Sequence, residues 1–302
     1  MVKVNTKKSI IGVKASANLY FVFMKESNTM KTQSSQAQVI TRQVTDLADI
    51  PDILSEIRQE TVQGIIIKQV FSQREMQQLA QYVQSLEAGF FPTRYGKTYG
   101  LSLSDIEGNK ANYLDKAEQF RKMLIDALPI DFEARITQIF KQLSNGRAIC
   151  CPQEDAKKYT PATIRFVPPN QPGIVAHVDS EFTYSPNYSY LHQIADVPNC
   201  FSYFIVVNKP THGGELILHQ LYFNSDELKN LKTGLNQFIM DKKQNLNHYS
   251  QQSFELFEGD LVIFKSSTIT HEIAYVSGAI TRITIGGFLS ISHDNQKIYY
   301  WS

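Results

Sequence analysis

The sequence predicts a mainly β domain, a sandwich or jelly roll with helices flanking it on the N-terminal side. Three observations lead to this. Seven short β-rich segments crowd the second half: Ala162 to Val167, Gly173 to Asp179, Phe201 to Val207, Glu215 to Tyr222, Leu261 to Phe264, His271 to Val276 and Thr281 to Leu289. Turn formers separate them at Pro168-Pro169, Gly213-Gly214, Glu258-Gly259-Asp260 and Ser277-Gly278, the punctuation of an all-β unit. The first half instead places apolar residues at three- and four-residue spacing, as helices with one buried face require. The chain of 302 residues is longer than a typical domain. Sandwiches of that length still form one unit with helical additions, so a single domain is expected.

Element by element, the polar stretch from Thr32 to Thr41 reads as a lead-in, with folded structure expected from Asp46. Gly64 to Phe71 contains Ile65-Ile66-Ile67, β-branched throughout and too short for a free helix, which suits a buried strand. Ser72 and Glu75 have capping-box spacing, in which each side chain takes the other's backbone amide hydrogen. Met76, Leu79, Ala80, Val83 and Leu86 follow on one helical stripe, and Gly89 offers a left-handed stop. A second helix is carried by Phe132, Ile136, Ile139, Phe140 and Leu143. Phe90 to Asn112 is aromatic and glycine-rich and reads as a long, lid-like loop. Leu228, Leu231 and Phe238 suggest an inserted helix between Ser225 and Met240. The expected organisation is an extension over residues 1–45, poorly ordered, and one domain over 46–302. Helical and lid elements occupy 46–158 and the jelly-roll core 159–302.

Composition narrows the function classes. Lys+Arg 30 against Asp+Glu 29 gives a formal charge of +1. Neither sign gathers into a block able to track a phosphate backbone or a membrane surface, so no nucleic-acid or membrane partner is implied. Hydrophobic residues at 42% support a sizeable core, and no apolar run approaches bilayer length. Lys3, Lys7 and Lys8 precede an apolar patch from Leu19 to Met24. The patch is short, Lys14 interrupts its approach and no small-residue cleavage site follows, so a loose extension is preferred to a secretory signal, with Met30 as an alternative start. A cytoplasmic enzyme with no obligate protein partner is expected. Cys150, Cys151 and Cys200 match neither a disulfide framework nor a zinc knuckle and read as reduced, buried thiols.

The chemistry lies in His177-Val178-Asp179. On a strand, residues two apart share a face, with Cα atoms roughly 6 to 7 Å apart. Both side chains can therefore reach one ion. With a further His from a neighbouring strand, here His271, imidazole and carboxylate make a facial triad that leaves three octahedral positions open. Arg282 and Thr284 alternate on the following strand with the parity of the His271 side. The arginine fork suits a distal carboxylate and the threonine hydroxyl adds a hydrogen bond to it, which points to a dicarboxylic co-substrate.

His177-x-Asp179, Gly213-Gly214-Glu215-Leu216, Gly259-Asp260-Leu261, His271 and Arg282-x-Thr284 stand in the order found in iron(II)/2-oxoglutarate dioxygenases, which this chain resembles. More narrowly, four segments are similar to the carrier-independent halogenases of hapalindole and welwitindolinone alkaloid assembly. They are Tyr159 to Arg165, Ser202-Tyr203-Phe204, Thr284 to Leu289 and the terminal Lys297 to Ser302. The similarity runs from about Gly64 to the C-terminus. It implies a double-stranded β-helix, a cupin-like jelly roll flanked by helices, with iron(II) on His177, Asp179 and His271. It also implies 2-oxoglutarate chelated through its keto-acid end and held at the far carboxylate by Arg282 and Thr284, with dioxygen consumed to succinate and carbon dioxide. One departure matters: those halogenases have glycine where this chain has Asp179. Glycine vacates a coordination position for chloride, and a carboxylate fills it, which argues for hydroxylation or desaturation of a small molecule, a natural-product intermediate.

The alternatives are a halogenase that tolerates Asp179 and a non-catalytic jelly-roll binding protein. A protein substrate also stays open. Phe182 and Tyr184, close after the ligands, and Tyr95 and Tyr99 in the long loop are candidates for a substrate-pocket wall, with core packing as the competing account. His192, His212, His219, His248 and His293 lack a same-face partner at ligand spacing and read as ordinary histidines, and Arg165 is left unassigned.

Overall fold

A computed structural model describes residues 38–48, 50–93, 96–106, 108–179, 182, 185–223 and 246–302. The first half runs through β1 (Val39–Gln43), α1 (Ile53–Arg58), β2 (Gly64–Lys68), α2 (Gln73–Ser85), β3 (Phe90–Thr93), β4 (Gly96–Tyr99), α3 (Lys110–Ala127) and α4 (Phe132–Leu143). It closes with β5 (Ala148–Cys150), β6 (Gln153–Glu154) and β7 (Lys157–Lys158). The second half begins with β8 (Thr163–Val167), α5 (Ser189–Ile194), β9 (Phe201–Asn208), β10 (His212–Gly213) and β11 (Leu216–Tyr222). It continues with β12 (Gln251–Phe254), β13 (Leu261–Phe264), β14 (Ile269–Ile273), β15 (Val276–Ser277), β16 (Arg282–Ile291) and β17 (Lys297–Trp301).

The strands form a jelly roll. Its large sheet has the order β1-β2-β13-β9-β16-β8-β4-β3, with β17 and β5 continuing from β16, and its small sheet has the order β12-β11-β14. Alternation divides each strand of the large sheet between two environments. Ile65, Ile67, Leu261, Ile263, Tyr203, Ile205 and Ile285 face the helices, meeting Met76 and Leu79 of α2 and Phe140 of α4 in the main core. Ile66, Val206, Val262 and Phe264 face the interior, where they meet Leu216, Leu218, Ile269 and Ile273 of the small sheet. β2 is buried on both faces, which is why Ile65-Ile66-Ile67 reads as an unbroken apolar run.

The capping box of α2 is formed. Glu75 N donates to Ser72 Oγ at 3.3 Å and Ser72 N donates to Glu75 Oε2 at 2.7 Å. Loss of the Ser72 hydroxyl would cost about 1 kcal/mol. Gly89 is not the helix stop: the chain is already extended at Leu86, and Gly89 (φ 88°) leads into the next hairpin, where a Cβ would meet the Tyr99 ring. α4 buries Phe132, Ile136, Ile139, Phe140 and Leu143, the stripe read from the sequence.

Several expectations are corrected. Phe90 to Asn112 is no lid: β3 and β4 form a hairpin that extends the large sheet through Thr98↔Arg165 and Tyr99↔Ile164. α3 begins at Lys110 inside the expected loop. Its apolar residues serve two separate clusters, Tyr113 and Leu114 in one, Phe120, Met123, Leu124 and Ala127 in the other, so no single stripe marks it. Strand β1 pairs in parallel with β2 and starts before Asp46, within the expected lead-in. The region from Gly173 to Asp179 is not a regular strand. Pro172 cannot donate to a ladder, and the segment is tied to its neighbours by isolated bridges at Gln171↔Val276 and His177↔His271 and by single bonds from the Ile273 amide to the Ile174 carbonyl and from the Asp179 amide to the Ser266 carbonyl. The predicted strand from His271 to Val276 is two pieces, β14 and β15. The helix expected between Ser225 and Met240, and residues 1–37 of the extension expected over 1–45, lie outside the described residues.

No helix among the described residues is long and apolar enough to cross a membrane. All three cysteines are free thiols. Cys151 donates to the Tyr159 carbonyl, and burial pushes it up to about 12, so it stays protonated.

Candidate metal centre

His271 lies in the middle of β14. Its backbone exchanges both amide hydrogen bonds with His177, each at 2.9 Å, which brings the two imidazoles side by side with ring centroids 4.2 Å apart. Two residues beyond His177, the Asp179 amide donates to the Ser266 carbonyl. The geometry expected of a strand is thus met by separate anchors at His177 and Asp179, although the segment itself is irregular. One ligand atom from each of His177, Asp179 and His271 lies within 4.8 Å of the others.

Hydrogen bonds decide which atoms converge. His177 Nδ1 faces the Val175 carbonyl at 2.8 Å and His271 Nδ1 faces the Ile269 carbonyl at 3.0 Å. A carbonyl only accepts, so each Nδ1 carries the proton and each Nε2 presents a lone pair. These Nε2 atoms stand 3.6 Å (His177) and 3.8 Å (His271) from Asp179 Oδ1 and Oδ2 respectively. Burial alone would raise the Asp179 carboxyl, but the His177 and His271 side chains outweigh it and hold the carboxyl well below the usual carboxylate range. Burial and the neighbouring His177 push His271 down to about 4, with Asp179 acting the other way. Near neutral pH His271 is neutral and Asp179 ionised, the protonation states metal binding needs. Among divalent metals this donor set with open positions suits a non-haem iron(II).

The large sheet supplies the wall behind the ligands. Ser202 Oγ donates to Asp179 Oδ2 at 2.7 Å, and Phe264, its register partner, packs edge-on to the His271 ring at 4.8 Å. Two residues along β9, Phe204 turns the same way and lies under the Arg282 guanidinium, 5.4 Å from its ring. Ser202 and Phe204 thus join the metal ligands to Arg282 along one strand face, a step of roughly 7 Å. Arg282 is 4% exposed, and Arg282 Nε donates to the Gly214 carbonyl at 2.9 Å. Gly214 is required here: at φ 75° a Cβ would come within 2.9 Å of Arg282 Cδ. Burial and Arg165 push Arg282 down to about 9, with Glu215 acting the other way. No carboxylate of the described residues lies within ion-pair distance of Arg282. Thr284 is buried two residues on, between Arg165 and Val206 in register. The interior end marked by Arg282, Arg165 and Thr284 is therefore cationic and lined with a hydroxyl, as a carboxylate site requires.

The remaining sequence candidates divide. Phe182 is buried and packs against Phe288 at 4.5 Å and Tyr188 at 4.9 Å. Phe288 is the register partner of Ser202, so Phe182 sits beside the site's interior face. Tyr99 is corrected: it shares the parity of Ile164 and packs with Phe90 and Phe120 on the helix side of the sheet, leaving Thr98 to face inward. Tyr95 and Tyr184 lie outside the described residues. His192 and His293 bond to backbone carbonyls, and His219 pairs with Glu272 at 3.2 Å. Sequence reasoning missed a role for Ser202. Its parity with Phe204 and Val206 on β9 was the available signal.

The profile of the family described as carrier-protein-independent halogenase WelO5 matches residues 36–302. No curated protein is matched by this sequence. Among solved structures, an N-substituted L-amino acid dioxygenase from Burkholderia ambifaria AMMD is similar at 15% identity, over 82% of this chain and 89% of that one, with a TM-score of 0.49. A 2OG-Fe(II) oxygenase family oxidoreductase from Burkholderia pseudomallei is similar at 13% identity over 84% and 95%, TM-score 0.45. A prolyl-4-hydroxylase from Pseudomonas putida is similar at 15% identity over 78% and 96%, TM-score 0.38.

Proposed function

This chain belongs to the carrier-protein-independent halogenase family, and we propose that within that family it hydroxylates or desaturates an unactivated C–H bond of a small natural-product intermediate instead of transferring halogen. It is an iron(II)- and 2-oxoglutarate-dependent enzyme. The observation that carries the proposal is Asp179, whose ionised carboxylate reaches the two Nε2 atoms and takes the third ligand position. A chain built for halide binding leaves that position empty.

The protein's own groups have distinct tasks. The backbone carbonyls of Val175 and Ile269 hold the protons on the two Nδ1 atoms and fix the ring orientations. Arg282, braced by Gly214 and Phe204, binds the far carboxylate of 2-oxoglutarate, and Thr284 adds a hydroxyl on the same face. Phe204 and Phe264 line the interior between the two ends and exclude water. When bound, iron(II) and 2-oxoglutarate supply the oxidising chemistry, with dioxygen consumed and succinate and carbon dioxide released. The substrate is held on the Phe182 and Phe288 side, where the wall is aromatic.

Family membership favours halogenation as the second reading, and one experiment separates the two. Enzyme with iron(II), 2-oxoglutarate and oxygen is offered a panel of free indole alkaloids, with and without chloride, and products are weighed by mass spectrometry. Gain of one oxygen or loss of two hydrogens, indifferent to chloride, is the expected outcome. A chlorinated product from the unaltered chain would overturn the proposal.

A further inference from the structure

The two oxygens of Asp179 are not equivalent. Oδ1 faces His177 Nε2, whereas Oδ2 faces His271 Nε2 and also accepts the Ser202 hydroxyl at 2.7 Å, a short charge-assisted bond. Ser202 cannot drift from this contact. It lies on β9 in the central sheet, registered to Phe288 of β16 on one side and Phe264 of β13 on the other.

We propose that Ser202 is a positioning residue that holds Asp179 to a single ligand oxygen and so keeps one coordination position free. The inference rests on the metal-centre reading above. Its basis is a count. An octahedral ion held by three protein atoms has three positions left, two for a chelating keto acid and one for a diatomic molecule. If Asp179 turned to offer both oxygens, the protein would supply four atoms and the keto acid would fill the rest. Engaging Oδ2 with a hydroxyl on a rigid strand opposes that turn. The bond also orients the carboxylate, a task whose loss lowers metal affinity on the order of 10- to 100-fold. Ser202 thus separates two properties, the strength with which the ion is held and the room left on it.

The test uses the full chain loaded anaerobically with iron(II), with nitric oxide as the diatomic probe and electron paramagnetic resonance as the readout. The unaltered protein forms the iron-nitrosyl signal both with and without 2-oxoglutarate. Ser202→Ala forms it without 2-oxoglutarate and loses most of it when 2-oxoglutarate is added. Ser202→Thr, which retains the hydroxyl, behaves as the unaltered chain. A full nitrosyl signal from Ser202→Ala in the presence of 2-oxoglutarate overturns the inference while leaving the metal centre intact. So does a Ser202→Thr variant that fails as Ser202→Ala does, since packing and not the hydroxyl would then be responsible. Absence of iron binding by the unaltered chain would instead remove the metal-centre reading on which the inference stands.

Discussion

The two ends of the jelly-roll interior carry opposite electrostatic problems. At one end, two Nε2 lone pairs and an ionised carboxylate converge. At the other, the buried Arg282 guanidinium lies near a second cation, Arg165, with Glu215 acting the other way on Arg282. The two ends call for ligands of opposite character, because burial penalises unmatched lone pairs and charges alike. A divalent ion relieves the first end and a dicarboxylate reaching toward it relieves the second. The difference shows that the interior is organised around a pair of ligands and not around a single one.

The comparison breaks most completely at the metal end. His177→Ala or His271→Ala removes one of three protein ligands, and iron-dependent succinate formation is expected to vanish in either variant. Turnover at the unaltered rate would remove the ligand assignment. At the other end, Arg282→Ala should raise the 2-oxoglutarate concentration needed for half-saturation on the order of 10- to 100-fold, the worth of a charge-assisted hydrogen bond at about 1.5–3 kcal/mol. Iron affinity measured without co-substrate should be unchanged by it, so an equal loss of both would merge the two ends into one.

Acid sharpens the contrast. His271 sits at about 4 in the folded protein, below its ordinary 6.5. The unfolded chain therefore takes the proton first as pH falls. Stability of the apoprotein contributed by neutral His271 is present above pH 6.5 and is lost on the way down to about 4, by about 3 kcal/mol. Asp179 acts in the same direction but at lower pH. Thermal midpoints of apoprotein and iron-loaded protein, compared from pH 7 to about 3, should fall together at first, the advantage given by iron staying level until His271 gains its proton near pH 4 and shrinking only below that. An advantage that already shrinks near pH 6.5 would contradict the assigned protonation state of His271. Smallest of all, Thr284→Val should weaken 2-oxoglutarate binding about fivefold, the worth of one neutral hydrogen bond near 1 kcal/mol, as titration calorimetry can measure.

Legibility in the sequence followed the range of the interactions. The capping box at Ser72 and the α4 stripe are local and were read correctly. The shared face of Arg282 and Thr284 was also legible, because β16 keeps an unbroken register against β8 across both positions, although its register against β9 shifts between Ile283 and Thr284. The hairpin of β3 and β4 was hidden: Pro92, Gly96 and Gly100 spoil the alternation, and its pairing with β8 is made across some seventy residues of chain. α3 was hidden because its apolar residues answer to two cores. Tyr99 was misplaced for the same reason as the hairpin, since a loop has no parity and a strand does. The His177 and Asp179 pair was found for a reason only half right. Their common direction comes from separate anchors on His271 and Ser266, not from a continuous ladder. The parity of Ser202 with Phe204 and Val206 was legible, but its placement beside Asp179 needed the register of β9 against its neighbours, which that parity does not encode.

The central claim, that metal and dicarboxylate meet in one interior, is tested most directly by anaerobic addition of iron(II) and then 2-oxoglutarate to the apoprotein. A weak visible charge-transfer band of the chelate should appear only when both are present, and Asp179→Ala should alter it. Iron binding without the band would contradict the co-substrate site at Arg282, and failure to bind iron at all would contradict the metal centre itself.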